Sequence, residues 1–197
     1  MIRSFDYGDV RYFRMARSLF GRPVYWTGVY YADGLLVDTG PPNLWREMER
    51  LCRELQVRQC VTIHHSEDHI ALWEPDRRWL FSGDLYLAPR LKYLRADENI
   101  YAMLDSLRRV LALEPLVLFC QHRGRVDNAT AMLRQKLDFL VELGEKIHEL
   151  RRKGLDERGI VRALPGSDLA WRLWTGGDFS KLNFVRAFLR SALTARL

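Results

Sequence analysis

At 197 residues, 48% of them apolar and 28% charged, the chain has enough material for one full hydrophobic core, alone or with a small appendage. These proportions exclude a disordered polar chain, and the lack of any apolar run of about 18 residues excludes a membrane-spanning helix. The net charge is +6, but the basic residues are spread along amphipathic segments and not gathered in one block, which reads as a solvated surface and not as a nucleic-acid site.

Alternation of apolar and polar residues over 2–14, around Tyr7-Gly8-Asp9, predicts an opening hairpin. A second hairpin is expected over 29–38, because Asp33-Gly34 between apolar runs suits a turn that needs positive φ. Thr39-Gly40-Pro41-Pro42 ends that strand. A helix follows over 43–55, with Leu44, Met48, Leu51, Cys52 and Leu55 on one face. The apolar stretch 57–63 reads as a strand. Residues 70–73 and 79–81 flank Glu74-Pro75-Asp76-Arg77 as another hairpin. Ile100, Leu104, Leu107 and Leu111 mark a helix, and 116–120 is a short buried strand. Strands and helices alternate to this point, the pattern of a layered α/β domain, here assigned residues 1–126. From 127 to 197 the chain is expected to be helical. Leu133, Leu137, Leu140, Ile147 and Leu150 line a long helix that stops at Gly154, a shorter helix covers 157–164, and a last one follows Gly176-Gly177-Asp178.

Three of the five histidines fall within His64-His65-Ser66-Glu67-Asp68-His69, where the strand 57–63 runs out into a loop. Imidazole and carboxylate together are ligands for a zinc-like metal. Asp84 and His122 are further candidates, each also following an apolar strand. One such histidine alone would read as a solvated side chain, whereas three strand ends carrying ligand types read as a metal site. Cys120 lies in an apolar strand and reads as core, not as a nucleophile. The three cysteines, Cys52, Cys60 and Cys120, are an odd number in apolar contexts, which predicts reduced, buried thiols and a cytoplasmic setting. Met1 to Asp6 carries no apolar signal region.

Taken in order, these segments resemble the metallo-β-lactamase-fold hydrolases, the superfamily that includes glyoxalase II-type thioesterases and lactonases. Leu35-Leu36-Val37-Asp38-Thr39-Gly40 looks like the family's early strand ending in Asp-Thr-Gly. The histidine cluster looks like its His-x-His-x-Asp-His motif. Phe81-Ser82-Gly83-Asp84 looks like the strand carrying its metal-bridging aspartate, and Phe119-Cys120-Gln121-His122 like the strand delivering its last metal histidine. The resemblance covers residues 25–155 and implies a shortened αββα sandwich followed by an all-helical C-terminal region.

This chain departs from the family pattern in two places. Aligned on Asp68 and His69, the first motif histidine is His64 but the second position holds Ser66, a poor zinc ligand beside imidazole. Only fifteen positions separate His69 from Asp84, where the family has several strands, a helix and another ligand histidine. In a second register, His65-Ser66-Glu67-Asp68-His69 resembles the family's later Gly-His-Ser-x-x-His stretch, with His65 as the ligand. Both registers stand, and together they imply an internal deletion that fuses two motifs.

By this resemblance Asp68 binds a metal and orients or deprotonates a water, Asp84 bridges, His64 or His65 joins His122 on one metal, and His69 holds the other. The implied cofactor is zinc, iron or manganese, one ion or two, with one ion suiting the remaining donors better. Asp38 sits beneath the site, bonded to the ligand loop. Arg123 and Arg125 read as exposed loop charges. The implied activity is hydrolysis of a small-molecule ester, thioester or lactone. The alternative is a non-catalytic remnant, a binding or structural protein that pairs with a second copy along an open sheet edge.

Overall fold

Asp33 and Gly34 both take positive φ, 41° and 80°, and their turn joins β3 (Arg22–Ala32) to β4 (Leu35–Val37) as the sequence predicts. The computed structural model describes residues 2–19, 22–38, 40–41, 44–61, 71–169, 173 and 175–194. The chain folds as two units, Met1–Leu87 with Glu114–Ala129, and Ala88–Leu113 with Thr130–Leu197.

The first unit is built on two sheets. One has the order β1-β2-β3-β4-β5, where β1 is Ile2–Asp6, β2 is Arg11–Leu19 and β5 is Gln59–Val61. The strand β2 runs well past the predicted hairpin and pairs with β3 along its length. A register shift between Arg17 and Ser18 breaks the alternation there, which hides the strand from a period-two reading. Strand β5 lies parallel to β4. Helix α1 (Trp45–Glu54) covers one face of this sheet through Leu44 and Met48, which cluster with Phe13, Met15, Val29 and Leu36.

The second sheet follows the order β10-β9-β7-β6, from β6 (Leu72–Glu74), β7 (Trp79–Gly83), β9 (Val117–Cys120) and β10 (Gly124–Asp127). The expected hairpin β6–β7 forms, and the Glu74 carboxylate accepts from the turn amides of Asp76 and Arg77 at 3.2 and 2.8 Å. Strand β10 was not evident in the sequence. Gly124-Arg125-Val126-Asp127 has little apolar character, and pairing with β9 makes it a strand. Tyr12, Tyr30 and Val37 of the first sheet, with Val10 from the connection before β2, meet Phe81 and Phe119 of the second in a buried core. Phe81 stacks on Phe119 at 4.8 Å between centroids, and Tyr30 and Trp79 meet Phe119 edge-on.

Strands β5 and β6 flank residues 62–70, and each is the last strand of its sheet among the described residues. This placement leaves β5 and β6 as sheet edges among the described residues. It also corrects one expectation about the thiols: Cys60, on edge strand β5, is exposed, and Cys52 is half-buried, while Cys120 is buried as expected.

The second unit contains α2 (Ile100–Ala112), α4 (Glu157–Ala163), α5 (Lys181–Thr194) and nearly all of α3 (Ala129–Arg152). The Asn99 side chain caps α2 by accepting from the amides of Tyr101 and Ala102. All the leucines and isoleucines predicted to line α2 and α3 are buried. Gly154 ends α3 at φ 86°, with the Leu155 amide donating back to the Leu150 carbonyl. A short ladder of β8 (Leu94–Arg95) with β11 (Phe179–Ser180) was not expected from the sequence. Among the described residues no helix is long and apolar enough to cross a membrane.

Candidate metal centre

Strands β7 and β9 are parallel neighbours, so their C-terminal ends emerge side by side. Asp84 is the residue after β7. His122 is the middle residue of the three-residue loop between β9 and β10, which closes on Gly124 at φ 77°. The two side chains meet, with Nε2 of His122 3.1 Å from Oδ1 of Asp84. Asp38, directly after β4, holds φ 76°, and its charge reaches His122. Two of the ligand candidates, Asp84 and His122, thus come together at strand ends, with Asp38 near enough to act on the ring. His64, His65, Asp68 and His69 lie outside the described residues, as does the choice between the two motif registers.

The loop bearing His122 is tied down one residue at a time. The Tyr30 hydroxyl donates to the Cys120 carbonyl at 2.5 Å, and the Tyr12 hydroxyl to the Gln121 carbonyl at 2.9 Å. The main-chain carbonyl of Trp26 lies 2.6 Å from Nδ1 of His122. On the other side the Cys120 thiol donates to the Tyr86 carbonyl at 2.9 Å. Burial pushes that thiol up to about 11, so it is a packing group and not a nucleophile at neutral pH. Burial also raises the Tyr30 and Tyr12 phenols, which stay protonated donors. Tyr30→Phe should leave the Cys120 carbonyl unsatisfied and cost about 1–3 kcal/mol, read by urea denaturation. An unchanged urea midpoint would mean that the hydroxyl contributes nothing to stability. Sequence reasoning missed Tyr12, Tyr30 and Trp26, since nothing local marks them. Arg125 is exposed as expected, but it lies on strand β10 and not in a loop, ion-paired to Asp127 at 2.9 Å.

Both ring nitrogens of His122 face acceptor oxygens, a carbonyl at Nδ1 and a carboxylate at Nε2. A neutral imidazole has one N–H and can satisfy only one of them. The pocket is therefore built for positive charge at Nε2, either a proton or a metal ion. The carbonyl at Nδ1 fixes the tautomer and orientation of the ring, as the outer hydrogen-bond partner of a metal-bound histidine does. On this ground Asp84 and His122 fit a metal as two donors of a larger set. No group of three His, Cys, Asp or Glu residues placed to hold a metal occurs among the described residues.

Burial alone would lower the His122 pKa, but the Asp84 hydrogen bond and charge, the Trp26 carbonyl and Asp38 outweigh it and raise it above 6.5. A folded-state pKa above the unfolded one stabilises the metal-free protein fully below about pH 6.5, and this is lost as pH rises through the folded value. The urea midpoint of metal-free protein should therefore fall on going from about pH 6 to pH 8, and His122→Asn should flatten that fall. A midpoint indifferent to His122 over this range would show that the Asp84 contact is not made in solution.

The model of the metallo-beta-lactamase superfamily matches residues 32–122, the span that holds Asp38, the histidine cluster, Asp84 and His122. No curated protein sequence matches. Among solved structures, VMB-1 superposes with a TM-score of 0.53 at 12% identity, over 72% of this chain and 97% of that one. A metallo-β-lactamase from Erythrobacter litoralis gives 0.52 at 14% identity, over 72% of this chain and 92% of its own. DIM-1 metallo-β-lactamase gives 0.50 at 11%, over 70% and 95%. At such identities the likeness establishes the fold and nothing finer. The chain thus has the metallo-β-lactamase fold, and its residues 32–122 match the model of that superfamily.

Proposed function

We propose that the protein is a metal-dependent hydrolase acting on an ester, thioester or lactone. The observation that carries this reading is the meeting of Asp84 with a His122 ring whose other nitrogen is already engaged by the Trp26 carbonyl. Asp84 and His122 would hold the ion together with donors from His64 or His65, Asp68 and His69. A bound zinc, iron or manganese ion would supply a Lewis acid and a water acidified to a pKa of about 7. Trp26, Tyr12 and Tyr30 position His122. Asp68 takes or orients the proton of the attacking water, and Asp38 steadies the loop beneath.

Metal per folded chain, measured on protein purified without a histidine tag, tests this first. One or two equivalents, followed by turnover in a screen of thioesters and lactones, are expected. A metal-free protein that stays so when zinc, iron and manganese are each offered back would refute the reading. The non-catalytic reading draws on a different observation, the two sheet edges β5 and β6. Pairing of two copies along these edges predicts a homodimer, and a monomer in sedimentation at micromolar concentration would remove that pairing.

A further inference from the structure

Arg3 and Arg14 are direct register partners across β1 and β2, on the face of the sheet that also carries Tyr12. Like charges placed opposite one another in a sheet repel and destabilise the pairing. No carboxylate pairs with either guanidinium among the described residues. Both groups instead lie over one indole, with the guanidinium carbons 5.5 Å (Arg3) and 4.9 Å (Arg14) from the Trp26 ring centroid. Nε of Arg14 is buried and has no hydrogen-bond partner among the described residues. Opposite Arg14 on β3 stands Gly28, over which the Tyr12 ring lies. Two arginines thus share one indole with no carboxylate to pair them among the described residues, and one buried donor is unused. Such a local conflict points to a group that the free protein lacks.

The position relative to the candidate metal centre follows from the strand register. Tyr30 and Tyr12 fix the carbonyls of Cys120 and Gln121, and Trp26, further along the same strand as Tyr30, fixes His122. The chain 120–122 therefore runs along this face toward Arg14 and Trp26. We propose that Arg3 and Arg14, stacked on Trp26, form a binding shelf for a compact oxyanion, a carboxylate or phosphate, beside His122, and that the hydrolase substrate carries this group. The second half rests on the hydrolase reading; the shelf itself does not. A guanidinium fork matches two oxygens of either anion, and stacking on the indole holds the fork in place before the anion arrives.

Calorimetric titration of the full chain, stripped of metal, with inorganic phosphate and separately with acetate tests the shelf. Saturable binding of one anion per chain is expected, weakening as salt rises, and the anion that binds more tightly identifies the class. Arg14→Gln should weaken binding at least tenfold. Arg3→Gln, at an exposed side chain whose loss does not threaten folding, should weaken it as well. The rise in melting temperature that the bound anion gives the wild type should vanish in Arg14→Gln. Failure of the wild type to bind either anion, or equal binding by both arginine variants and the wild type, would overturn the proposal and leave the arginines as packing on Trp26. Because this readout needs no metal, a protein that binds zinc but no anion loses only the shelf. One that binds anion but no metal loses only the hydrolase reading.

Discussion

Replacing Asp84 by Asn is expected to lower metal affinity by at least about 10–100-fold, the range seen when even an outer partner of a metal ligand is lost. The substitution keeps the shape of the side chain and removes its charge. Two consequences follow from the geometry. The ion loses an anionic donor, and His122 loses the partner that holds positive charge at Nε2, 3.1 Å away. Burial then meets less opposition, so the His122 pKa should fall. Elemental analysis reads the first effect, and imidazole proton resonances followed against pH read the second, with His122→Asn to assign the signal. Metal content equal to the wild type together with an unshifted His122 titration would show that these two residues do not form the centre.

Phe119→Ala is expected to cost about 3–5 kcal/mol, a large share of the stability of a domain of this size. Phe119 is 1% exposed and is the common neighbour of Phe81, Tyr30, Trp79 and Tyr7 in the core between the two sheets. Truncation removes its own burial and leaves a cavity that the surrounding rings, two on β7, one on β3 and one in the turn before β2, cannot all close. Its strand also delivers His122, so metal affinity should fall along with stability. Phe119→Leu keeps most of the volume and should cost far less. Urea denaturation of the two variants separates these cases. A cost below about 1 kcal/mol for the alanine variant would mean that the core between the sheets does not hold the unit together.

Several elements of the fold were legible because they depend on neighbours along the chain. The Asp33-Gly34 turn announces itself by its need for positive φ. The stripes of leucine on α2 and α3 follow the helical period, and Gly154 marks a stop by the same local rule. Asp84 and His122 could be picked out because each follows a short apolar strand, and parallel neighbours release their ends on one side of a sheet. Where the local pattern was broken or weak, the reading stopped short. The register shift at Arg17 and Ser18 concealed the length of β2, and β8, β10 and β11 are strands only by virtue of their partners.

The environment of the site was decided by tertiary structure alone. Trp26 and His122 are 96 residues apart in sequence, Tyr30 and Cys120 are 90 apart, and Tyr12 and Gln121 are 109 apart. No window of sequence contains both members of any of these pairs. The exposure of Cys60 likewise follows from its strand lying at the edge of a sheet, which its apolar flanks do not reveal. The sequence by itself determined which residue types gather at strand ends, because that is a matter of local period and ligand chemistry. Only the fold decided that the His122 ring sits between a carbonyl and a carboxylate, because those oxygens arrive from strands far apart in the chain.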